Sequence, residues 1–362
     1  MPAFDVAIAG AGPAGTACAI QLARLGRSVL LLHQATGRPQ PGEALPPAAN
    51  RLLRELGVME PFLAGGHLPC FGNQSAWGDD HLRSTDFLSA PDGHGWHIDR
   101  SRFDDMLRRE AAAAGVALDR PGVPYQARWL VDCTGRAAVV ARACGVRRRV
   151  YGTLTAFLAL FELRHAAADP DCLTTIEAVE TGWWYTARLP GGRRLSVYYT
   201  DAHSRTATLA RDVSGYEILL ARTRHVAPHL RAYRRIGVPI AMPAHSSGLE
   251  QLAGADWLAA GDAAIAHDPL SSLGISAAIL SGMRAAKAVH RSLEGDQDAI
   301  PGYASWMRAG FQQYLHQCVA HYAAERRWPH SPFWRTRALT PEFHSQREPD
   351  TDPSAAPAGC AG

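Results

Sequence analysis

The chain has 362 residues, 47% of them hydrophobic and 20% charged, with a net charge of +3. A surplus that small leaves no electrostatic footprint for nucleic acid, and the apolar runs break well short of the ~18 residues a membrane span needs. The length suits one large nucleotide-binding domain joined to a smaller one.

The first element is an apolar strand, Asp5-Val6-Ala7-Ile8-Ala9, running into Gly10-Ala11-Gly12-Pro13-Ala14-Gly15. A helical stretch over 16–25 follows. A strand, a glycine turn and a helix in that order predict a dinucleotide-binding turn. Gly10 permits the tight turn, Gly12 lets backbone approach a pyrophosphate, and Gly15 lets the helix sit close to the strand. Pro13 fits the first helical turn, where a missing N–H costs nothing. The helix N-terminus then offers N–H groups to phosphate, Ala14 among them. The second strand, Ser28-Val29-Leu30-Leu31-Leu32, is followed by His33 and Gln34. Dinucleotide folds place a ribose-binding carboxylate there. An imidazole or an amide still bonds a ribose hydroxyl, with a weaker hold on the adenosine end.

Further along come Pro41-Gly42-Glu43-Ala44-Leu45-Pro46-Pro47 and the strand and helix start Trp96-His97-Ile98-Asp99-Arg100-Ser101-Arg102-Phe103-Asp104. A helix is expected over 103–114. The stretch 116–128 then leads almost at once to the strand Leu130-Val131-Asp132, which enters Cys133-Thr134-Gly135-Arg136. Alternating runs at 151–160 and 195–199 predict a sheet, as does Gly182-Trp183-Trp184-Tyr185-Thr186-Ala187-Arg188-Leu189-Pro190, in which Trp183 and Tyr185 share one face. Residues 203–234 read as helical. Trp257-Leu258-Ala259-Ala260 is an apolar strand ending in Gly261-Asp262. Asp268-Pro269-Leu270-Ser271-Ser272-Leu273-Gly274 follows, and then helices over 275–293 and 303–327. The seven cysteines are scattered, with no C-x-x-C, which reads as reduced thiols and a cytoplasmic chain. The sixteen histidines form no metal-ligand spacing, so no metal is expected. With the first strand starting at residue 4, no signal peptide is expected.

The glycine turn and the distant Gly261-Asp262, in this order, resemble the FAD-dependent aromatic hydroxylase superfamily, which includes the flavin-dependent halogenases. The segments at 41–47, 182–190, 268–272 and 325–334 (Glu-Arg-Arg-Trp-Pro-His-Ser-Pro-Phe-Trp) resemble most the flavoproteins that mature protein-derived tryptophylquinone cofactors. The resemblance runs over residues 4–337. It implies an α/β fold: a Rossmann-like FAD-binding domain of the two-dinucleotide-motif, aromatic-hydroxylase type, a smaller sheet-based substrate domain and a C-terminal helix. FAD-domain parts fall at 1–68, 96–147 and 256–293, substrate-domain parts at 69–95 and 148–255, a helical region at 294–337 and a disordered tail at 338–362. Relative to the family about two strands are missing near 116–128, a shortening expected to expose apolar sheet surface.

The resemblance also implies roles. FAD would be held by Gly10, Gly12, Pro13, Ala14, Gly15, His33 and Gln34. Arg100, Gly261 and Asp262 would meet its ribityl chain, and Pro269, Ser272, Leu273 and Gly274 its pyrimidine edge. Trp183, Tyr185 and Glu43 would line the substrate site. No catalytic side chain is singled out. The implied activity is that of a monooxygenase hydroxylating an aromatic ring, a tryptophan on a partner polypeptide, through a flavin hydroperoxide. Electrons would come from NAD(P)H or a flavin reductase. Two alternatives are a tryptophan halogenase and a degenerate flavoprotein with a binding or maturation role. A halogenase needs a lysine at the site, and Lys287 is the only lysine. The halogenase W-x-W-x-I-P pattern is also not met at 183–190.

Overall fold

A computed structural model describes residues 1–34, 42–164, 169–338 and 345–347. The N-terminal part folds as β1 (Ala3–Ala9), α1 (Pro13–Arg24), β2 (Val29–Leu32), β3 (Glu43–Leu45), α2 (Ala49–Glu55) and α3 (Met59–Leu63). Then come β4 (Leu68–Cys70), β5 (Gly72–Ala76), β6 (Arg83–Asp86), β7 (Gly95–Ile98), α4 (Arg100–Ala113), β8 (Ala117–Asp119), β9 (Gln126–Asp132) and α5 (Val139–Ala143). The middle holds β10 (Arg148–Tyr151), β11 (Leu154–Leu163), β12 (Leu173–Val179), β13 (Gly182–Leu189), β14 (Arg193–Asp201), α6 (Arg205–Ala210), α7 (Val213–Ala221), α8 (Val226–His229) and β15 (Tyr233–Pro243). The chain closes with β16 (Ser246–Leu249), β17 (Trp257–Ala259), β18 (Ile265–Ala266), α9 (Gly274–Leu293), α10 (Ala299–Ala323), α11 (Pro332–Arg337) and β19 (Ser345–Arg347).

The α/β fold is the expected one. Five parallel strands line up as β17-β9-β1-β2-β8, and their apolar runs are buried because helices pack on the sheet. β2 is buried at every position. A seven-stranded sheet runs β15-β11-β14-β13-β12-β5-β6, and β3-β7-β4 forms a small sheet. Of residues 69–95, β5 and β6 lie in the seven-stranded sheet, whereas β4 pairs with β7. Where 203–234 reads as helical, three short helices form, and Tyr233 already opens β15. α10 begins and ends four residues earlier than the predicted 303–327. The tail expected to be disordered lies outside the described residues except for Ala338, which caps the end of α11, and β19, whose backbone pairs antiparallel with β10. Among the described residues, no helix is long and apolar enough to cross a membrane, and no three His, Cys, Asp or Glu side chains gather as a metal site.

The chain at 116–128 passes from one short strand almost directly to the next, and the sheet surface beside it stays covered. β8 pairs with the outer edge of β2 and the chain turns directly into β9. Val123 and Tyr125, from the connecting loop, pack over Ala7, Leu30 and Leu32, which stay buried. Two side chains cover the sheet surface that an exposed face would have left wet.

The seven-stranded sheet has two apolar faces because its side chains alternate. Trp184 and Tyr198 stack on one face, 4.7 Å between ring centroids, beneath Tyr216 and Leu219 of α7. Trp183 and Tyr199 stack on the other, 3.8 Å apart, against Tyr322, Phe333 and Trp334 from the C-terminal helices.

Two buried histidines give the fold a pH dependence: His67 sits against Phe62 and Phe103, and His97 of β7 bonds the Thr174 hydroxyl. Burial lowers His67 and His97 each from 6.5 to about 4. The unfolded chain therefore takes up each proton first. Their contribution to stability is whole above pH 6.5 and is lost as pH falls toward 4. Each costs about 2 kcal/mol by pH 5. Urea denaturation should show the midpoint falling between pH 7 and pH 5, with a smaller fall in His97→Gln; an unchanged midpoint in the native chain would contradict this.

Candidate functional site

The glycine turn is shaped by close backbone contact. Gly10 has φ +102°, and a methyl there would sit 2.2 Å from the Cys133 carbonyl oxygen; one on Gly15 would sit 1.8 Å from the Gly10 carbonyl oxygen. Only hydrogen fits at either place. A methyl on Gly12 would meet nothing within 4 Å, so the turn faces open space there. α1 starts at that point, with Gly12 as its N-cap and no side chain capping it. Its first N–H groups are left for an anion.

Gly261, some 250 residues on, touches this turn. Its φ is +61°, and a methyl there would lie 2.6 Å from the Ala14 methyl. On α9, a methyl on Gly282 would lie 2.2 Å from the Ala14 carbonyl oxygen. The Gly261 N–H donates to the Ser281 hydroxyl at 2.9 Å. The two glycine motifs of the sequence thus form one surface. Asp262 stands at its rim, 41% exposed, with its carboxylate 3.8 Å from the Arg136 guanidinium. Arg136 also donates to the carbonyls of His245 (2.7 Å) and His267 (3.3 Å). Behind the turn, buried Arg148 donates to the Ser247 hydroxyl at 2.9 Å and to the carbonyls of Asp262 (3.0 Å) and Ala263.

At the far rim, His33 is half-buried and its backbone N–H donates to the Asp119 carbonyl at 2.8 Å. Burial, and then the Arg108 guanidinium, hold its imidazole below the ordinary value. Gln34 is exposed. Arg108 donates to the Ala11 carbonyl at 3.4 Å and pairs with Asp105. It stands eight residues after Arg100 on α4, close to the same helix face.

Arg100 bonds the Asp104 carboxylate at 2.9 Å and Glu43 at 2.5 Å. Two residues expected in different roles are therefore one ion pair. Glu43 keeps 47% of its side-chain surface open, while the protein crowding its other sides raises its carboxyl by desolvation against the pull of Arg100.

The turn before α9 is fixed from below. Buried Asp268 caps the Leu270 N–H (2.9 Å), accepts from the Tyr322 hydroxyl (2.8 Å), and donates its own N–H to the Tyr314 hydroxyl (2.6 Å). Pro269 opens the short turn that follows, and Ser272 takes φ +52°. Leu273 is partly exposed, and a methyl on Gly274 would meet nothing within 4 Å. α9 begins there with no side-chain cap. It is the second long helix whose N-terminus opens onto this space.

Trp183 requires a correction. It has no exposed surface, stacks on Tyr199 and donates its indole N–H to the Tyr322 hydroxyl at 3.2 Å. It backs the site and does not line it. Tyr185 remains half-buried. Burial raises its hydroxyl, which bonds the Thr174 side chain and the Ala44 backbone beside Glu43. Lys287 is half exposed and lies 3.3 Å from Glu55 of α2.

Two uncapped helix N-termini, open space over Gly12 and Gly274, and a rim of Arg100, Arg108 and Asp262 together fit an extended dinucleotide. The fit rests on the cradle itself. Arg108, Arg136 and Arg148 were not singled out by sequence reasoning. Position eight after Arg100 on one helix was the available signal for Arg108; Arg136 and Arg148 gave none.

Residues 3–121 match the FAD binding domain family. LodB of Marinomonas mediterranea, assigned as an FAD-dependent oxidoreductase, is 25% identical over 93% of this chain and 97% of its own length. Other curated relatives are flavin-dependent halogenases. Among solved structures, the myxobacterial halogenase CndH superposes with a TM-score of 0.82 at 24% identity, over 93% of this chain and 86% of that one. The peptidyl tryptophan dihydroxylase QhpG superposes with 0.71, also at 24%, over 93% and 79%. These two superpositions speak for the fold.

Two substitutions test the cradle. Asp262→Ala is expected to weaken FAD binding by about fivefold, the loss of one hydrogen bond. His33→Glu is expected to tighten it by about tenfold, because Arg108 favours a carboxylate there and charge-assisted bonds are stronger. Titration of the apoproteins with FAD reads both; equal affinity in the Glu variant would place His33 away from the ribose.

Proposed function

From the premise that this chain is an FAD-dependent oxidoreductase of the superfamily holding the aromatic hydroxylases and flavin-dependent halogenases, we propose that it is a monooxygenase that adds oxygen to a tryptophan ring on a partner polypeptide. One observation carries the choice of oxygen over halogen. The only lysine, Lys287, is half exposed and bonded to Glu55, so no amine stands at the site to relay hypohalous acid. The polypeptide substrate is supported by the segments 182–190 and 325–334 and by the likeness to QhpG, which acts on a peptidyl tryptophan.

The chain's residues divide the work along the cradle. Gly10, Gly12, Pro13, Ala14, Gly15 and the α1 N-terminus would hold the pyrophosphate. His33, Gln34 and Arg108 would meet the adenosine end. Arg100, Gly261 and Asp262 would hold the ribityl chain, with Arg136 and Arg148 fixing the Asp262 turn. Pro269, Ser272, Leu273 and Gly274 would bring the positive end of α9 to the pyrimidine edge, where negative charge collects on reduction. FAD, when bound and reduced by NAD(P)H or a separate flavin reductase, would activate O2, and O2 supplies the oxygen atom that the ring gains. The protein has to orient the ring and keep water out. Glu43, steadied by Arg100, offers a carboxylate oxygen to an indole N–H. Tyr185 gives an aromatic edge, a contact worth about 0.5–1.5 kcal/mol. Trp183 and Tyr199 form the rigid wall behind.

The number of halogenase relatives favours the halogenase as the second reading. Mass spectrometry separates the two. Tryptophan-containing peptides and free tryptophan are incubated with the FAD-loaded protein, a flavin reductase with NADH, O2 and bromide. A gain of one or two oxygens on a peptide tryptophan is expected. A bromine isotope pattern, or change only in free tryptophan, would reject the proposal.

A further inference from the structure

The face of the seven-stranded sheet that carries Trp183 and Tyr199 does not stop at the site. It runs outward across β11 to β15, the terminal strand. The register pairs Leu160 with Ile236, Leu158 with Ile240 and Ala156 with Met242. Residues directly opposite in an antiparallel pair share a face. Leu158 and Leu160 also pack on the Trp183 cluster, as does Leu270 of the turn before α9. The strip is therefore continuous with the wall of the site. Unlike the wall it is open: Ile236 and Met242 are exposed, and Leu158, Leu160 and Ile240 only partly covered. An apolar strip left open beside a site marks a binding surface.

The same edge is basic. Arg164, Arg231, Arg234 and Arg235 gather at its end with Glu162 and Glu217, a local surplus of two positive charges. Arg234, at the end of the strip, pairs with Glu162, and Arg235 bonds Glu217 at 3.0 Å. Arg231 is exposed, and its guanidinium has no carboxylate partner among the described residues. Arg231 stands over a cavity of about 390 Å³ behind the strand, floored by Phe161, Leu220 and Leu230. Pro239 and Pro243 remove two N–H donors from β15, so a ligand reads this edge by its side chains and not by a continuous ladder.

We propose that this strip and its arginines form the docking surface for an acidic, extended segment of the partner polypeptide, which leads the target ring along the sheet to the site. The docking surface rests on the proposed reaction only for the reason a polypeptide must be brought there. Apolar side chains of the segment cover Leu158, Leu160, Ile236 and Met242, and its carboxylates meet Arg231 and Arg234. Complementary charge guides the encounter, and the apolar contact holds it.

The test uses the FAD-loaded protein and fluorescent peptides as long as β15, 11 residues. One peptide carries a tryptophan, leucines and glutamates; its control replaces every glutamate by lysine. The glutamate peptide is expected to bind and the lysine peptide not. Raising salt from 0.05 to 0.5 M should weaken binding by about tenfold, since exposed pairs are screened. Arg231→Glu with Arg234→Glu, and separately Ile236→Asp with Met242→Asp, should each weaken it by about tenfold with the flavin spectrum unchanged. Absent binding of the glutamate peptide, preference for the lysine peptide, or unchanged affinity in both double variants would overturn the docking surface. Oxygen incorporation, read by mass in the same samples, keeps the two ideas apart. Oxygen added with affinity unchanged across variants removes the docking surface and leaves the reaction. Binding lost in the variants with no oxygen added by any of them, or by the native protein, leaves the surface and removes the reaction.

Discussion

The contact between the first turn of α1 and the pair Gly261 and Gly282 is the constraint on which the rest depends. A methyl on either glycine would lie within 2.6 Å of Ala14. Protein interiors are packed too densely to absorb such a collision without a shift of backbone. The closeness brings two helix N-termini to one open space, although their sequences lie far apart. It also explains why Ala14 is buried in a position that elsewhere on a helix start would be wet.

Around that contact the chain uses guanidinium groups as staples. Arg136 and Arg148 hold carbonyl oxygens of three separate loops, and Arg100 ties β3 to α4 through Glu43 and Asp104. A planar fork with several donors can serve carbonyls that converge from different directions, which a lysine ammonium does poorly. The near absence of lysine thus has a structural use as well as a chemical one. The arginines that hold the rim also place positive charge beside the carboxylates Glu43 and Asp262.

The parts of this molecule that could be read from sequence were those governed by local rules. Gly10 and Gly15 follow from backbone sterics, and the strand before them from an apolar run. The alternation placing Trp183 and Trp184 on opposite faces was legible too, because the strand period is two. Which of those faces looks toward the cofactor, and whether Trp183 would be open or sealed, was not, since period says nothing of what packs on a face. In fact Tyr322, more than a hundred residues later, seals it. The short path through 116–128 was visible in the spacing, but the cover that Val123 and Tyr125 give the sheet was not: a covering contact carries no motif. Arg108, Arg136 and Arg148 were lost among 34 other lysines and arginines, from which only their neighbours in space tell them apart.

The bonds from Tyr314 and Tyr322 to Asp268 bear on how the protein is made. The surface proposed to cradle FAD draws on residues 10–15, 261–282 and, through those tyrosines, α10. While the chain is still emerging from the ribosome, the glycine turn exists long before the helix that fixes the opposite wall. The nascent protein can fold its first strands early, but it has no complete cradle until nearly all of it has been released. Loading therefore belongs to the finished chain, and a protein interrupted before residue 322 would keep its first motif and lose the grip that the motif serves.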